Sequence, residues 1–234
     1  MHIPIAQPSL GNEESDAVLT VLASGMIAQG PVTAAFEEEF AAYCGIPHAV
    51  AVSNGTTALH AALLATGVGP GDEVVVPAFT FFATASSVSM CRARPVFADV
   101  EPATATIDPA DVLAKVSPKT KAVIGVHLYG QPCDAGAIRD LCDDKGLVFI
   151  EDAAQAHGAT YRGQKTGSLG DLACFSFYAT KNLATGEGGM VTTASSEYDA
   201  RLRRIINHGQ SEKYLHTELG YNYRMTDINA AIGR

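Results

Sequence analysis

The string Phe175-Ser176-Phe177-Tyr178-Ala179-Thr180-Lys181-Asn182, followed by Gly186-Glu187-Gly188-Gly189-Met190, sets a lysine just downstream of a serine, between a β-prone run and a glycine cluster. A lysine held out of water there, beside a hydroxyl and free backbone N–H groups, can attack an aldehyde while its neighbours take up a phosphate. An amine with an ordinary pKa near ~10.4 needs desolvation or a cationic neighbour to react near neutrality. Taken alone, the string also describes a surface lysine beside a Gly-rich turn. Upstream, Val148-Phe149-Ile150-Glu151-Asp152-Ala153-Ala154-Gln155-Ala156-His157-Gly158 reads as a buried strand ending in an acid. In an open α/β sheet, ligands collect at the carboxyl ends of the strands. A carboxylate there can keep a pyridine nitrogen protonated, which makes the ring an electron sink. Asp152 is also a good helix N-cap after a strand, but beside Lys181 the chemical reading is the stronger one. A third piece, His48 to Leu59, runs from an apolar strand through Ser53-Asn54-Gly55 into a helix beginning Thr56-Thr57. The N–H groups and positive dipole end of that helix form an anion site, to which both threonine hydroxyls can add. Plain capping by Asn54 or Thr56 accounts for the same residues. An amine, a carboxylate and an anion cradle together are what pyridoxal 5′-phosphate (PLP) requires.

With these strings in hand, the chain resembles the DegT/DnrJ/EryC1/StrS family of sugar aminotransferases, which are fold-type I PLP enzymes. The resemblance rests on Ser53 to Leu59, Glu151 to Gly158, Phe175 to Asn182, Gly186 to Met190, and Gly220-Tyr221-Asn222-Tyr223-Arg224-Met225, in the family's order. It implies that Lys181 forms the Schiff base and moves the proton at the substrate carbon, and that Asp152 pairs with the pyridine nitrogen. By the same resemblance, Gln155 approaches the ring hydroxyl and Phe81 stacks on the ring, with Phe79 and Phe82 as alternative stackers. Ser176 and Gly55-Thr56-Thr57 hold the phosphate. Asn222 reaches the phosphate from a second subunit, so a homodimer would build the site. Arg224 is a weaker candidate for the donor's carboxylate, by bidentate geometry, with an ordinary surface ion pair as its alternative. His157 lies close to the site, and His127 could line it; a core hydrogen bond is the plainer reading for such histidines. The implied reaction moves an amino group from an amino acid, glutamate by resemblance, to a nucleotide-linked keto-sugar. Family members that dehydrate sugars carry histidine in place of the lysine, so Lys181 argues against that chemistry. The alternative from another class is a truncated, non-catalytic or regulatory relative that binds without turnover.

Composition sets bounds on these readings. The 234 residues suffice for one large α/β domain, and 47% hydrophobic with 18% charged residues fits a soluble globular protein. A net charge of −9 and no basic run beyond Arg203-Arg204 argue against nucleic-acid binding. Cys44, Cys91, Cys133, Cys142 and Cys174 form no C-x-x-C pair, and the histidines lack metal spacing; reduced thiols, no metal and a cytoplasmic setting are expected. Met1 to Pro8 lacks the basic and apolar regions of a secretory leader, and Val74 to Cys91 is too polar for a membrane span.

The elements that must position these residues are also legible. Glu13 to Ser24 predicts an amphipathic helix with Val18, Leu19 and Leu22 on its apolar face, and Thr33 to Cys44 predicts a second, stopped by Gly45. Strands are predicted at 48–53, 73–76, 94–98, 121–126, 146–150, 171–177 and 189–193, with helices at 56–66, 80–90, 109–116, 134–145 and 196–206. Near-continuous apolar strands such as Ala122-Val123-Ile124-Gly125-Val126 alternating with helices predict a mostly parallel sheet covered on both faces. This is the three-layer α/β/α large domain of fold-type I PLP enzymes. The expected organisation is an N-terminal segment with a helix, 1–25, then a PLP-binding large domain, 26–234. Family members continue into a smaller C-terminal domain, which this reading places outside the chain. Gly188 and Gly189 are expected to permit close backbone approach or positive φ.

Overall fold

The computed structural model describes residues 6–234, so most of the leader reading, Met1 to Ile5, lies outside the described residues. Two helices open the chain, α1 (Asn12–Ser24) and α2 (Pro31–Cys44), and strands then alternate with helices: β1 (His48–Val52), α3 (Gly55–Ala65), β2 (Glu73–Pro77), α4 (Phe82–Met90), β3 (Arg94–Ala98), α5 (Pro109–Lys115), β4 (Thr120–Val126), α6 (Ala135–Lys145) and β5 (Val148–Asp152). A small hairpin, β6 (Thr160–Tyr161) and β7 (Gln164–Lys165), precedes β8 (Leu172–Ser176), β9 (Gly189–Thr193) and α7 (Ser196–Ile205). A second hairpin, β10 (Gln210–Glu212) and β11 (Leu215–His216), and a helix α8 (Asp227–Gly233) follow, and a short 3-10 turn, Leu128–Gly130, lies between β4 and α6.

Seven strands form one sheet in the order β1-β9-β8-β5-β4-β2-β3. The run from β8 to β3 is parallel, and β9 alone runs against both neighbours. The predicted mostly parallel sheet is therefore borne out. Alternation along the strands feeds two separate cores. Val74, Val76, Ile124 and Ile150 pack under α3, α4 and α7 with Leu59, Leu63, Val88 and Leu202. Val75, Val123 and Phe149 face the other way, against Val112 of α5 and Ile138 of α6. Beside them Phe36 and Phe40 of α2 meet Phe175 and Phe177 in an aromatic cluster. With both faces covered, the inner strands β2, β4 and β5 are apolar on both sides, which is why they read as near-continuous hydrophobic runs, while the edge strand β3 keeps Arg94 and Phe97 exposed.

Three departures from the sequence reading have local causes. α2 starts at Pro31 rather than Thr33, because Pro suits the first helical position and the buried Asp227 carboxylate caps the helix from α8, accepting from the N–H groups of Gly30 (2.8 Å) and Thr33 (2.9 Å). β5 is Val148–Asp152, two residues later than expected, since Gly146 (φ 64) is spent as the left-handed end of α6. In α1, Val21 is the residue that is buried, while Leu19 and Leu22 are exposed.

Parallel strands bring their carboxyl ends to one sheet edge. Val126 pairs with Asp152 across β4 and β5, and Asp152 pairs with Cys174 across β5 and β8. Ser176 at the end of β8 pairs with Gly189 at the start of β9, and Gly189 also pairs with Val52 at the end of β1. Helices α3 and α4, which follow β1 and β2, begin at this edge, and a cavity opens there.

Candidate active site

The cavity measures about 900 Å³ and is lined by Gly55, Thr56, Thr57, Phe81, Asp152, Gln155, Ser176 and Lys181, together with Asn54, Phe79, Thr80, His127, Tyr129, Tyr178 and Glu187 among others. Residues that lie far apart in the chain thus meet at the sheet edge where ligands collect in such folds.

Its floor is the start of α3. Asn54 is the N-cap, its side chain accepting from Thr57 N–H at 2.9 Å while Thr57 Oγ1 donates to Asn54 O at 2.8 Å. The capping alternative is therefore correct for Asn54, and it still leaves the Gly55 and Thr56 N–H groups with no acceptor in the helix. Gly55 is required by proximity: a Cβ there would stand 2.7 Å from Ser176 Cβ. Its absence brings the helix start against the Ser176 hydroxyl. Gly189 solves the same problem on the strand side, where a Cβ would lie 2.6 Å from the Asn54 carbonyl. Close approach, not positive φ, explains that glycine.

Asp152 ends β5 and is 6% exposed. Oδ2 accepts from Thr84 Oγ1 at 2.8 Å and Oδ1 from Ala154 N–H at 3.3 Å. A turn follows rather than a helix, so Asp152 is not an N-cap. Burial raises its pKa above the ordinary aspartate value, opposed by the Thr84 hydrogen bond, the Ala154 N–H and the charge of Lys181. Lys181 sits in the loop after β8, its N–H donating to Tyr178 O at 2.8 Å. Burial lowers its amine pKa, with Asp152 acting in the opposite sense. Desolvation thus pushes both groups toward neutrality, which for the amine is the nucleophilic form.

Gln155 is oriented by Tyr129, whose N–H donates to Gln155 Oε1 at 2.9 Å. A backbone N–H only donates, so the facing amide atom is the oxygen and the NH₂ group is left for another acceptor. Tyr129 adopts φ 54 to make this contact. Behind it, Glu151 is fully buried and accepts from His127 Nε2 (2.9 Å), Gly167 N (2.9 Å), Leu169 N (2.8 Å) and Gly170 N (2.9 Å). Cys133 N–H donates to His127 Nδ1 at 3.2 Å, so the proton that reaches Glu151 is carried on Nε2.

Of the flanking phenylalanines, Phe79 and Phe81 line the cavity, and Phe82 is 79% exposed outside it. Phe81, at 75% exposed, stands at the mouth. His157, Asn222 and Arg224 are not among the lining residues. The His157 ring lies 5.4 Å from that of Phe175 and 5.7 Å from that of Phe177, with neither nitrogen hydrogen-bonded. Asn222 is exposed and bridges Asn207 through the backbone, and Arg224 donates to the Asn207 side chain. Thr84, Tyr129 and Glu151 carry contacts that sequence reasoning missed. Only Glu151 left a trace, as an acid inside an apolar strand.

This sheet order, with its helix starts and a buried Asp–Lys site at the strand ends, defines an α/β protein of the fold-type I class. Residues 8–234 match the DegT/DnrJ/EryC1/StrS aminotransferase family, and the chain belongs to it. GDP-perosamine synthase of Caulobacter vibrioides is 49% identical over 99% of this chain and 63% of its own length. The dTDP-3-amino-3,4,6-trideoxy-alpha-D-glucose transaminase of Streptomyces venezuelae is 44% identical over 100% of this chain and 62% of its own. The PLP form of Spr1654 from Streptococcus pneumoniae superposes with a TM-score of 0.95 at 32% identity, covering 100% of this chain and 65% of that one. The chain therefore spans just under two thirds of the length of these relatives. Among the described residues, no helix is long and apolar enough to cross a membrane, and no cluster of His, Cys, Asp or Glu suits a metal.

Proposed function

We propose that the protein is a PLP-dependent aminotransferase that moves an amino group from an amino acid, glutamate by family resemblance, to a nucleotide-linked keto-sugar. The observation that carries this reading is the meeting of Lys181, Asp152, Gln155, Ser176 and the α3 N-terminus in one cavity. The residues fit the cofactor: an anion cradle kept open by a glycine, an amide NH₂ left unclaimed, and a buried carboxylate beside a desolvated amine. When bound, PLP supplies a ring that draws off negative charge from the substrate carbon.

The chain's own groups do the rest. The Gly55 and Thr56 N–H groups, with the Ser176 hydroxyl, hold the phosphate at the positive end of α3. Asp152 keeps a proton on the pyridine nitrogen by accepting a hydrogen bond from it. Gln155 donates through its NH₂ group to the ring oxygen. Lys181 Nζ, made less basic by burial, takes a proton at the substrate carbon and returns it. Phe81 covers the ring face and excludes water. Lys181 is the one lysine or arginine among the lining residues, so the substrate's anionic groups need cations from elsewhere. Arg224 is the candidate cation for the donor carboxylate, and in a homodimer Asn222, exposed outside its own chain's cavity, would add a neutral amide donor to a partner's phosphate. Residues 26–234 act as the PLP-binding domain, in a cytoplasmic setting consistent with its buried free thiols.

The test is the visible absorption spectrum with PLP, before and after glutamate, beside Lys181→Ala. A band that requires Lys181 and bleaches with glutamate is expected. No Lys181-dependent band would overturn the reading. A band indifferent to every amino acid tried would shift it to the non-catalytic alternative.

A further inference from the structure

Thr84 has no part in the mechanism above, yet it is the one side-chain donor to Asp152 among the described residues. It lies on the first turn of α4, 0% exposed. An ionised carboxylate only accepts and a hydroxyl has a single proton, so the 2.8 Å contact commits the Thr84 proton to Asp152 Oδ2. The 2.9 Å contact between Thr80 Oγ1 and Thr84 Oγ1 must then run from Thr80 to Thr84. The result is a directed chain, Thr80 to Thr84 to Asp152, in which each bond polarises the next. The same helix begins at Phe81, its N-cap residue. One hydrogen bond therefore ties the element carrying the ring-stacking candidate to the strand carrying the pyridine partner.

We propose that Thr84, polarised by Thr80, is the positioning residue of the cofactor site: it keeps Asp152 ionised and aimed into the cavity, and it sets the spacing between Asp152 and Phe81. The inference rests on the PLP reading. Burial pushes the Asp152 pKa up, and Thr84 is the largest influence opposing it. The other titratable groups facing Asp152 are Lys181, His127 and Cys174.

Thr84→Val keeps the shape and removes the donor, while Thr84→Ser keeps the donor. PLP affinity of the whole chain, followed by absorption, is expected to fall about tenfold in Thr84→Val, the share of a hydrogen bond to a charged group. Thr84→Ser should stay within about threefold of wild type. A second readout needs no cofactor. Losing the donor raises the Asp152 pKa further, so the urea-denaturation deficit of Thr84→Val should grow as pH rises above the ordinary aspartate range and the buried carboxyl ionises. That growth should vanish in an Asp152→Asn background. Where Thr84→Val fails to fold, Thr80→Val removes only the outer donor and should weaken PLP binding about threefold. Wild-type PLP affinity in the folded variant, with a deficit constant across pH, overturns the proposal and leaves the cofactor reading intact. Wild-type protein that binds no PLP overturns both, even where the pH-dependent deficit appears.

Discussion

Glu151→Gln is the sharpest probe of how the site is held in place. The carboxylate is fully buried and both oxygens are doubly engaged: Oε1 by the N–H groups of Leu169 and Gly170, Oε2 by Gly167 N–H and His127 Nε2. An amide of the same shape can keep one oxygen, but its NH₂ group must face two donors whichever way it turns. His127 cannot relieve the conflict by moving its proton, because Cys133 N–H already occupies Nδ1. Two bonds to a charged group are lost, at about 1.5–3 kcal/mol each, and two buried donors are stranded. Relaxation recovers part of that, so about 3–5 kcal/mol is expected, as for removing one side of a buried pair. For a chain of this size each kcal/mol lowers Tm by about 2–4 °C, which makes the shift roughly 8–15 °C. Thermal melts of the cofactor-free protein measure it. Native-state hydrogen exchange adds the local signature, since the amides of Gly167, Leu169 and Gly170 should lose protection more than those of α3. A shift below about 3 °C, or a loss of protection spread evenly over the chain, would refute the assigned hydrogen bonding.

Two further outcomes follow from the same geometry. Burial pushes the pKa of His157 down to about 4, so its folded form stays neutral while the unfolded chain takes up a proton below about 6.5. Stability is therefore lost as pH falls from about 6.5 toward about 4, by at most about 3 kcal/mol. His157→Phe, which suits a ring packed on Phe175 and Phe177, should flatten that slope relative to wild type in urea titrations. An unchanged slope would show that the ring is protonated in the fold. Gly55→Ala places a Cβ 2.7 Å from Ser176 Cβ, and overpacking of that kind costs about 1–3 kcal/mol. Combining it with Ser176→Gly should restore most of the stability, a non-additivity expected of touching residues. Additive losses by urea denaturation would mean that the two residues do not meet.

What could be read in the chain and what could not divide along a physical line. Strands and helices were legible because both faces of the sheet are covered, which leaves near-continuous apolar runs such as Ala122-Val123-Ile124-Gly125-Val126. Asp152 stood out as a charge at the end of such a run, where an ordinary core has no use for one, and Lys181 by its place between a serine that ends a strand and a glycine cluster. Edges were less legible: β5 extends to Asp152 because Gly146 terminates α6, and only the backbone angle at Gly146 reveals which side of the boundary it serves. The supporting groups were not legible at all. Thr84 looks like any helix threonine until β5 is laid beside α4, and Tyr129 looks like a loop aromatic until its N–H is seen to hold Gln155. Their roles arise from pairs far apart in sequence, which no periodicity encodes. Nor did the apolar pattern of α1 specify its buried side: a helix with apolar residues at Val18, Leu19, Val21 and Leu22 offers more than one face, and packing chose Val21. Chemistry-bearing residues are thus written locally, as the wrong residue type for a core, whereas the groups that tune them are ordinary residues made specific by topology. Substitutions at Thr84 and Glu151 therefore test the fold's part in the chemistry, and substitutions at Lys181 test the chemistry itself.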